Sequence, residues 1–95
     1  MGDQLTGKVV VVAGASAGMG FAAARRCAEE GADIVMLARG QERLTLAANE
    51  VGAKAFPIVC DVTSPDSVRA AFAQIADRFG KVDALFNVAG VARIR

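Results

Sequence analysis

At 95 residues the chain is one domain at most, close to the smallest size that buries a self-sufficient core. Apolar residues make up 54% of it but aromatic residues only 5%, so the core must be built mainly from Ala, Val, Ile and Leu. A formal net charge of +1, carried by scattered rather than clustered basic residues, gives no pull toward nucleic acid or membrane surfaces, and the apolar run Val9 to Ala13 is far too short to span a bilayer.

No basic start followed by a long apolar run marks a secretory leader. Gly2 after Met1, with Thr6 downstream, fits an acylation pattern but reads more simply as a polar lead-in. Cys27 and Cys60 lack metal-ligand spacing, and the chain has no histidine, so both read as small core residues of a cytoplasmic protein.

Lys8 to Ala13 is a continuous β-branched run and predicts a strand buried on both faces. Gly18 to Glu30 predicts a helix closed by Gly31. Ile34 to Ala38 is a second buried strand. The next helix places Leu44, Ala47, Ala48 and Val51 at i, i+3, i+4, i+7 spacing and ends at Gly52. Lys54 to Cys60 is a third strand, and Pro57 inside it, which removes a ladder donor, assigns it to the sheet edge. Ser64-Pro65-Asp66 starts a third helix with an N-cap, an N1 proline and a first-turn carboxylate. That helix carries Val68, Phe72, Ile75 and Phe79 on one stripe and stops at Gly80. Val82 to Ala89 is a fourth strand running into Gly90. The alternation βαβαβαβ makes an α/β unit with a parallel sheet, and residues 1–95 form one such unit without linker or repeat.

Gly14, Gly18 and Gly20 are spaced G-x-x-x-G-x-G at the junction of the first strand and first helix. Glycines there let the chain leave the strand sharply, let backbone approach an anion and let the helix sit close to the sheet. Amides from Gly18 to Phe21 would face a pyrophosphate with the helix dipole behind them, and Ser16 offers a hydroxyl. A plain strand–turn–helix, with glycines serving packing alone, is the competing reading.

Three segments occur in order: Gly14-Ala15-Ser16-Ala17-Gly18-Met19-Gly20, then Cys60-Asp61-Val62-Thr63, then Asn87-Val88-Ala89-Gly90. Together they make residues 5 to 92 resemble the N-terminal half of a short-chain dehydrogenase/reductase. The resemblance implies a Rossmann-type, doubly wound parallel sheet, here partial, in strand order 3-2-1-4. The first two helices would lie on one face and the third on the other. It also implies a dinucleotide held by Gly14, Ser16, Ala17, Gly18, Met19 and Gly20.

Selectivity turns on the end of the second strand, where NAD-selective folds carry an acid for the ribose 2′-hydroxyl. This chain has Ala38 there, followed by Arg39, whose guanidinium fork suits a 2′-phosphate. The family pattern points the same way, so NADP is expected over NAD. Arg43 either assists or pairs with a neighbouring acid. By resemblance, Asp61 would accept from the adenine amino group with the Val62 amide on the ring, although Asp61 could instead cap local amides before Ser64. Asn87 would tie neighbouring strands, and Ala89 and Gly90 would pass close to the cofactor riboses. Ala13 and Val88 depart from the family pattern, which has threonine and a second asparagine there.

The family's hydride transfer uses a Tyr-x-x-x-Lys pair with a serine. This sequence has no tyrosine, and its lysines are Lys8, Lys54 and Lys81, so no catalytic residue is assigned, and no metal site either. These residues are expected to bind a cofactor without acting on it alone. The fourth strand, Ala84-Leu85-Phe86, would be a bare edge beside a half-covered apolar face. It would pair with a C-terminal half beyond Arg95 or with a second copy. The alternative is a non-catalytic dinucleotide-binding or self-associating α/β module.

Overall fold

Four β-branched residues in succession offer water no polar face, and all of β1 (Val9–Ala13) is buried in the computed structural model, which describes residues 3–87. The chain continues through α1 (Gly18–Glu29), β2 (Asp33–Ala38), α2 (Gln41–Val51), β3 (Ala55–Val59), α3 (Pro65–Phe79) and β4 (Ala84–Asn87). The four strands form one parallel sheet in the order β3-β2-β1-β4, with Val12 of β1 flanked by Met36 and Phe86. Strand order and alternation are those expected.

Alternation along β1 splits the core in two. Val10 and Val12 join Ile34, Met36, Ala24 of α1 and Leu44, Ala47 and Ala48 of α2 on one face. Val9, Val11, Val35 and Leu37 meet Ala71 and Ile75 of α3 on the other. The expected half-covered face is therefore narrower than the sequence suggests. Val9, Val11 and Val35 are 3% exposed or less where the α3 stripe of Val68, Phe72, Ile75 and Phe79 packs over the two central strands. On β4, Leu85 packs against this face, whereas Phe86, 38% exposed, pairs with Val12 on the opposite face, and Val82, just before the strand, is 39% exposed.

β3 is an edge strand, and hydrogen bonds explain how it carries Pro57. Cys60 N–H donates to the Ala38 carbonyl and Ile34 N–H to the Lys54 carbonyl, so even-numbered residues face β2. Pro57 then faces outward, where its missing N–H costs the ladder nothing and denies a donor to a foreign strand.

β4 begins at Ala84 rather than at Val82. Ahead of it, Asp83 exchanges N–H for the Val9 carbonyl at 2.8 Å, while its own carboxylate accepts from Val9 N–H, also at 2.8 Å. A side chain therefore stands in for the next ladder bond. Val88, Ala89 and Gly90 lie outside the described residues. α3 begins as expected: Ser64 Oγ accepts from Ser67 N–H at 3.2 Å, with Pro65 in the first turn.

Candidate functional site

At the end of β1 the chain turns through Gly14, at φ +77°, and the amides of Gly14 and Ala15 both donate to the Leu37 carbonyl of β2, at 2.8 and 3.2 Å. The turn is thus braced by the neighbouring strand rather than by a hydroxyl at Ala13. Gly18, at φ +60° with open space where a Cβ would stand, begins α1. A Cβ on Gly20 would lie 2.1 Å from the Gly14 carbonyl oxygen, so glycine is what seats α1 against the turn.

The N-terminus of α1 differs from the other two. Its N-cap, Ala17, supplies no side-chain acceptor, and its first turn holds no acid. α2 has Glu42 in its first turn, and α3 has both the Ser64 cap and Asp66. The first-turn amides of an α-helix have no intrahelical acceptor, so α1 presents uncompensated donors and the positive end of its dipole at the carboxyl edge of the sheet. Met19 is 72% exposed, so its contribution to this edge is its backbone.

A cleft of about 380 Å³ opens beside this turn and gathers Gly14, Ser16, Arg39, Arg43, Asp61, Val62 and Thr63 over a floor that includes Leu37 and Ala38. Its volume lies in the range of small-molecule sites. Ser16 and Arg43 continue into an adjoining hollow of about 270 Å³ that includes Ala17 and Phe21. Asn87 lies instead in a small pocket of about 190 Å³ with Ala13, Val62 and Leu85. Of the residues picked from sequence, the cleft thus unites Gly14, Ser16, Arg39, Asp61 and Val62. Gly18, Met19 and Gly20 form the adjacent helix turn. Ala89 and Gly90 lie outside the described residues.

A larger cleft of about 460 Å³ lies along the β3 edge among Phe56, Pro57, Arg78 and Phe79. It has neither a glycine turn nor a helix N-terminus, and Arg78 there stacks on Phe56, 4.5 Å from the ring centroid. The cleft at the carboxyl ends of the strands is where ligands of open α/β sheets bind, and we take it as the site.

Within it, Ala38 puts no carboxylate at the end of β2, and neither Arg39 nor Arg43 forms an ion pair among the described residues. The Arg43 pairing with a helical neighbour is not made. Asp61 makes the local cap, its Oδ1 accepting from Thr63 Oγ1 at 2.6 Å and Thr63 N–H at 3.0 Å, and it also lines the cleft. The Thr63 hydroxyl first, then its amide, hold the Asp61 carboxyl below the ordinary aspartate range against the opposing effect of burial, with the Arg39 charge adding least. Asp61 N–H in turn donates to Ser67 Oγ at 2.9 Å. Thr63 and Ser67 were not singled out from sequence. The Asp-x-Thr spacing, which favours a side-chain turn, was the available signal.

Both cysteines are free, Cys60 buried and Cys27 half-buried with its thiol pushed up by burial. Among the described residues no group of three or more His, Cys, Asp or Glu side chains could hold a metal ion, and no helix is long and apolar enough to cross a membrane.

A parallel 3-2-1-4 sheet with a glycine turn feeding an uncapped helix defines a Rossmann-type α/β unit. The family model for short chain dehydrogenases matches residues 8–95, and the chain belongs to the short-chain dehydrogenase/reductase family. It is 41% identical over 87 residues to a 3beta-hydroxysteroid dehydrogenase of Mediterraneibacter gnavus, a match covering 88% of this chain and 32% of that protein. An actinorhodin polyketide ketoreductase variant with NADPH superimposes with a TM-score of 0.84 at 37% identity, over 96% of this chain and 36% of that one. A 3-ketoacyl-(acyl-carrier-protein) reductase of Brucella melitensis complexed with NADH gives a TM-score of 0.82 at 35% identity, over 86% and 34%. The chain thus spans about a third of the length of these relatives.

Proposed function

We propose that these residues are the NADP(H)-holding portion of an oxidoreductase that moves hydride between a nicotinamide ring and an alcohol or carbonyl carbon. The observation that carries this reading is Arg39, without an ion pair, sharing one cleft with Asp61 and the Gly14 turn while Ala38 leaves the acid position empty of charge. The relatives divide between NADPH and NADH, so the choice rests on this chain's own electrostatics.

The cleft suits the cofactor in three respects: donors without acceptors at the α1 N-terminus, open space at Gly18, and Arg39, which forms no ion pair among the described residues. Gly14, Ser16 and the amides of Ala17, Gly18, Met19 and Gly20 would hold the pyrophosphate. Arg39 would take the 2′-phosphate through its planar fork. Asp61 and Val62 would meet the adenine, Ala89 and Gly90 would pass close to the riboses, and Asn87 would tie the neighbouring strands that carry them. The dinucleotide, when bound, supplies the hydride. Proton transfer falls to groups outside this set, because the sequence contains no tyrosine.

The outer edge of β4, with Val82 and Phe86 exposed, supports addition of further chain or of a second copy there. A stable, soluble monomer of these 95 residues in sedimentation would contradict that. The two free thiols suit a reducing, cytoplasmic compartment; finding the intact protein outside the reducing cytoplasm on cell fractionation would contradict it.

Calorimetric titration of NADPH and NADH against the intact protein and Arg39→Ala tests the reading. NADPH should bind the wild type more tightly. A charge-assisted hydrogen-bonded contact contributes about 1.5–3 kcal/mol, so Arg39→Ala should weaken NADPH roughly ten- to hundredfold and leave NADH nearly unchanged. Equal affinity for the two nucleotides, or none for either, overturns it.

A further inference from the structure

We propose that Thr63 is a positioning residue that holds the Asp61 carboxylate apart from Arg39, so that one oxygen stays available to an exocyclic amino group of the bound ring. The inference rests on the dinucleotide reading of the cleft and adds a residue to it.

Asp61 and Arg39 follow the ends of adjacent strands, joined by the hydrogen bond from Cys60 N–H to the Ala38 carbonyl at 2.9 Å. Opposite charges emerge side by side into one cleft, yet no ion pair forms between them. Such a pair would occupy both the ring acceptor and the phosphate fork.

The local hydrogen bonds account for the separation. The Asp61 backbone is tied at both ends, its N–H to Ser67 Oγ at 2.9 Å and its carbonyl to Ser64 N–H at 3.0 Å. The side chain is tied through Oδ1, which accepts from the Thr63 hydroxyl at 2.6 Å and the Thr63 amide at 3.0 Å. No further hydrogen bond engages Oδ2 among the described residues. An ionised carboxylate only accepts, so the oxygen left over suits an N–H donor and rejects a carbonyl. Adenine presents an amino group where hypoxanthine presents a carbonyl.

Thr63→Val deletes the hydroxyl but keeps the branch and the backbone N–H, and Thr63→Ser restores a hydroxyl. Affinities of NADPH and of its hypoxanthine analogue are measured for the intact wild type and both variants, with the Asp61 carboxyl titration followed by NMR. The wild type should favour the adenine form roughly tenfold, the worth of one charge-assisted hydrogen bond. Thr63→Val should bring the ratio close to one and raise the Asp61 titration point, and Thr63→Ser should return both. If Thr63→Val does not fold, Thr63→Ala, which also keeps the backbone N–H, replaces it. A folded hydroxyl-less variant that keeps the adenine preference overturns the proposal alone, as does a wild type that binds both ring forms equally. A wild type that binds neither overturns the cofactor reading as well.

Discussion

The position of a Cβ on Gly20 lies 2.1 Å from the Gly14 carbonyl oxygen and 2.8 Å from its carbon, so first turn of α1 and strand-end turn occupy adjoining space with no room for a methyl group. Both obstructing atoms are backbone and cannot rotate away. Gly20→Ala should therefore force α1 off the turn and cost about 2–3 kcal/mol, the upper part of the range for overpacking. Gly18 faces open space, and its constraint is φ +60° alone. Gly18→Ala should cost about 1–2 kcal/mol, and Gly18→Asn less, because asparagine tolerates the left-handed region. Urea unfolding of the three variants measures the order. Wild-type stability in Gly20→Ala would mean that α1 is not seated this closely.

Ala38 ends β2 on the floor of the cleft, directly before Arg39. An aspartate there would place a carboxylate beside both the guanidinium and any 2′-phosphate. Like charges a few ångströms apart near a protein surface cost about 1–4 kcal/mol. Ala38→Asp should therefore weaken NADPH at least about tenfold while sparing or improving NADH through the ribose hydroxyl. Fluorescence titration of both reduced nucleotides reads the switch, and an unchanged NADPH-to-NADH ratio would remove Ala38 from the selectivity argument.

Asp83 carries a pH dependence that acts on folding rather than on the cleft. The Val9 amide first, then the Lys81 ammonium 3.2 Å away, lower its carboxyl below the ordinary value of 3.8. A carboxyl whose folded value lies below its unfolded one stabilises the fold above the unfolded value and loses that contribution as pH falls through the folded one. Acid unfolding should thus steepen below pH 3.8. Asp83→Asn keeps an acceptor for Val9 N–H but no titrating charge, so its stability should vary less with pH there. Asp61, lowered in the same direction, keeps some slope in the variant. Urea midpoints across the acid range test this; parallel curves for variant and wild type would show that Asp83 contributes no linkage.

Much of this architecture is readable locally. The Val9 to Val12 run, the Ser64-Pro65-Asp66 start and the stripe on α3 each state their structure through neighbours a few residues away. Pro57 assigned β3 to the edge for the right reason, since its ring nitrogen faces away from β2. The β4 boundary was not readable, because Asp83 meets Val9 across 74 residues and replaces a ladder bond with a carboxylate. Nor could spacing decide between two uses of Asp61. The folded chain assigns Oδ1 to Thr63 and still leaves the residue lining the cleft.

The sequence by itself determined the element types and their order, the glycine turn, and the absence of an acid at Ala38 beside Arg39. These follow from side-chain branching, backbone freedom and charge, which are properties of single residues and short windows. Tertiary structure alone brings Gly14, Arg39 and Asp61 into one cleft, sets beside it the one helix N-terminus among the described residues with neither a side-chain cap nor a first-turn acid, and lays α3 over its face of β1 and β2. The physical reason is that parallel pairing brings the ends of strands far apart in sequence to one edge, and burial on both faces then fixes their register.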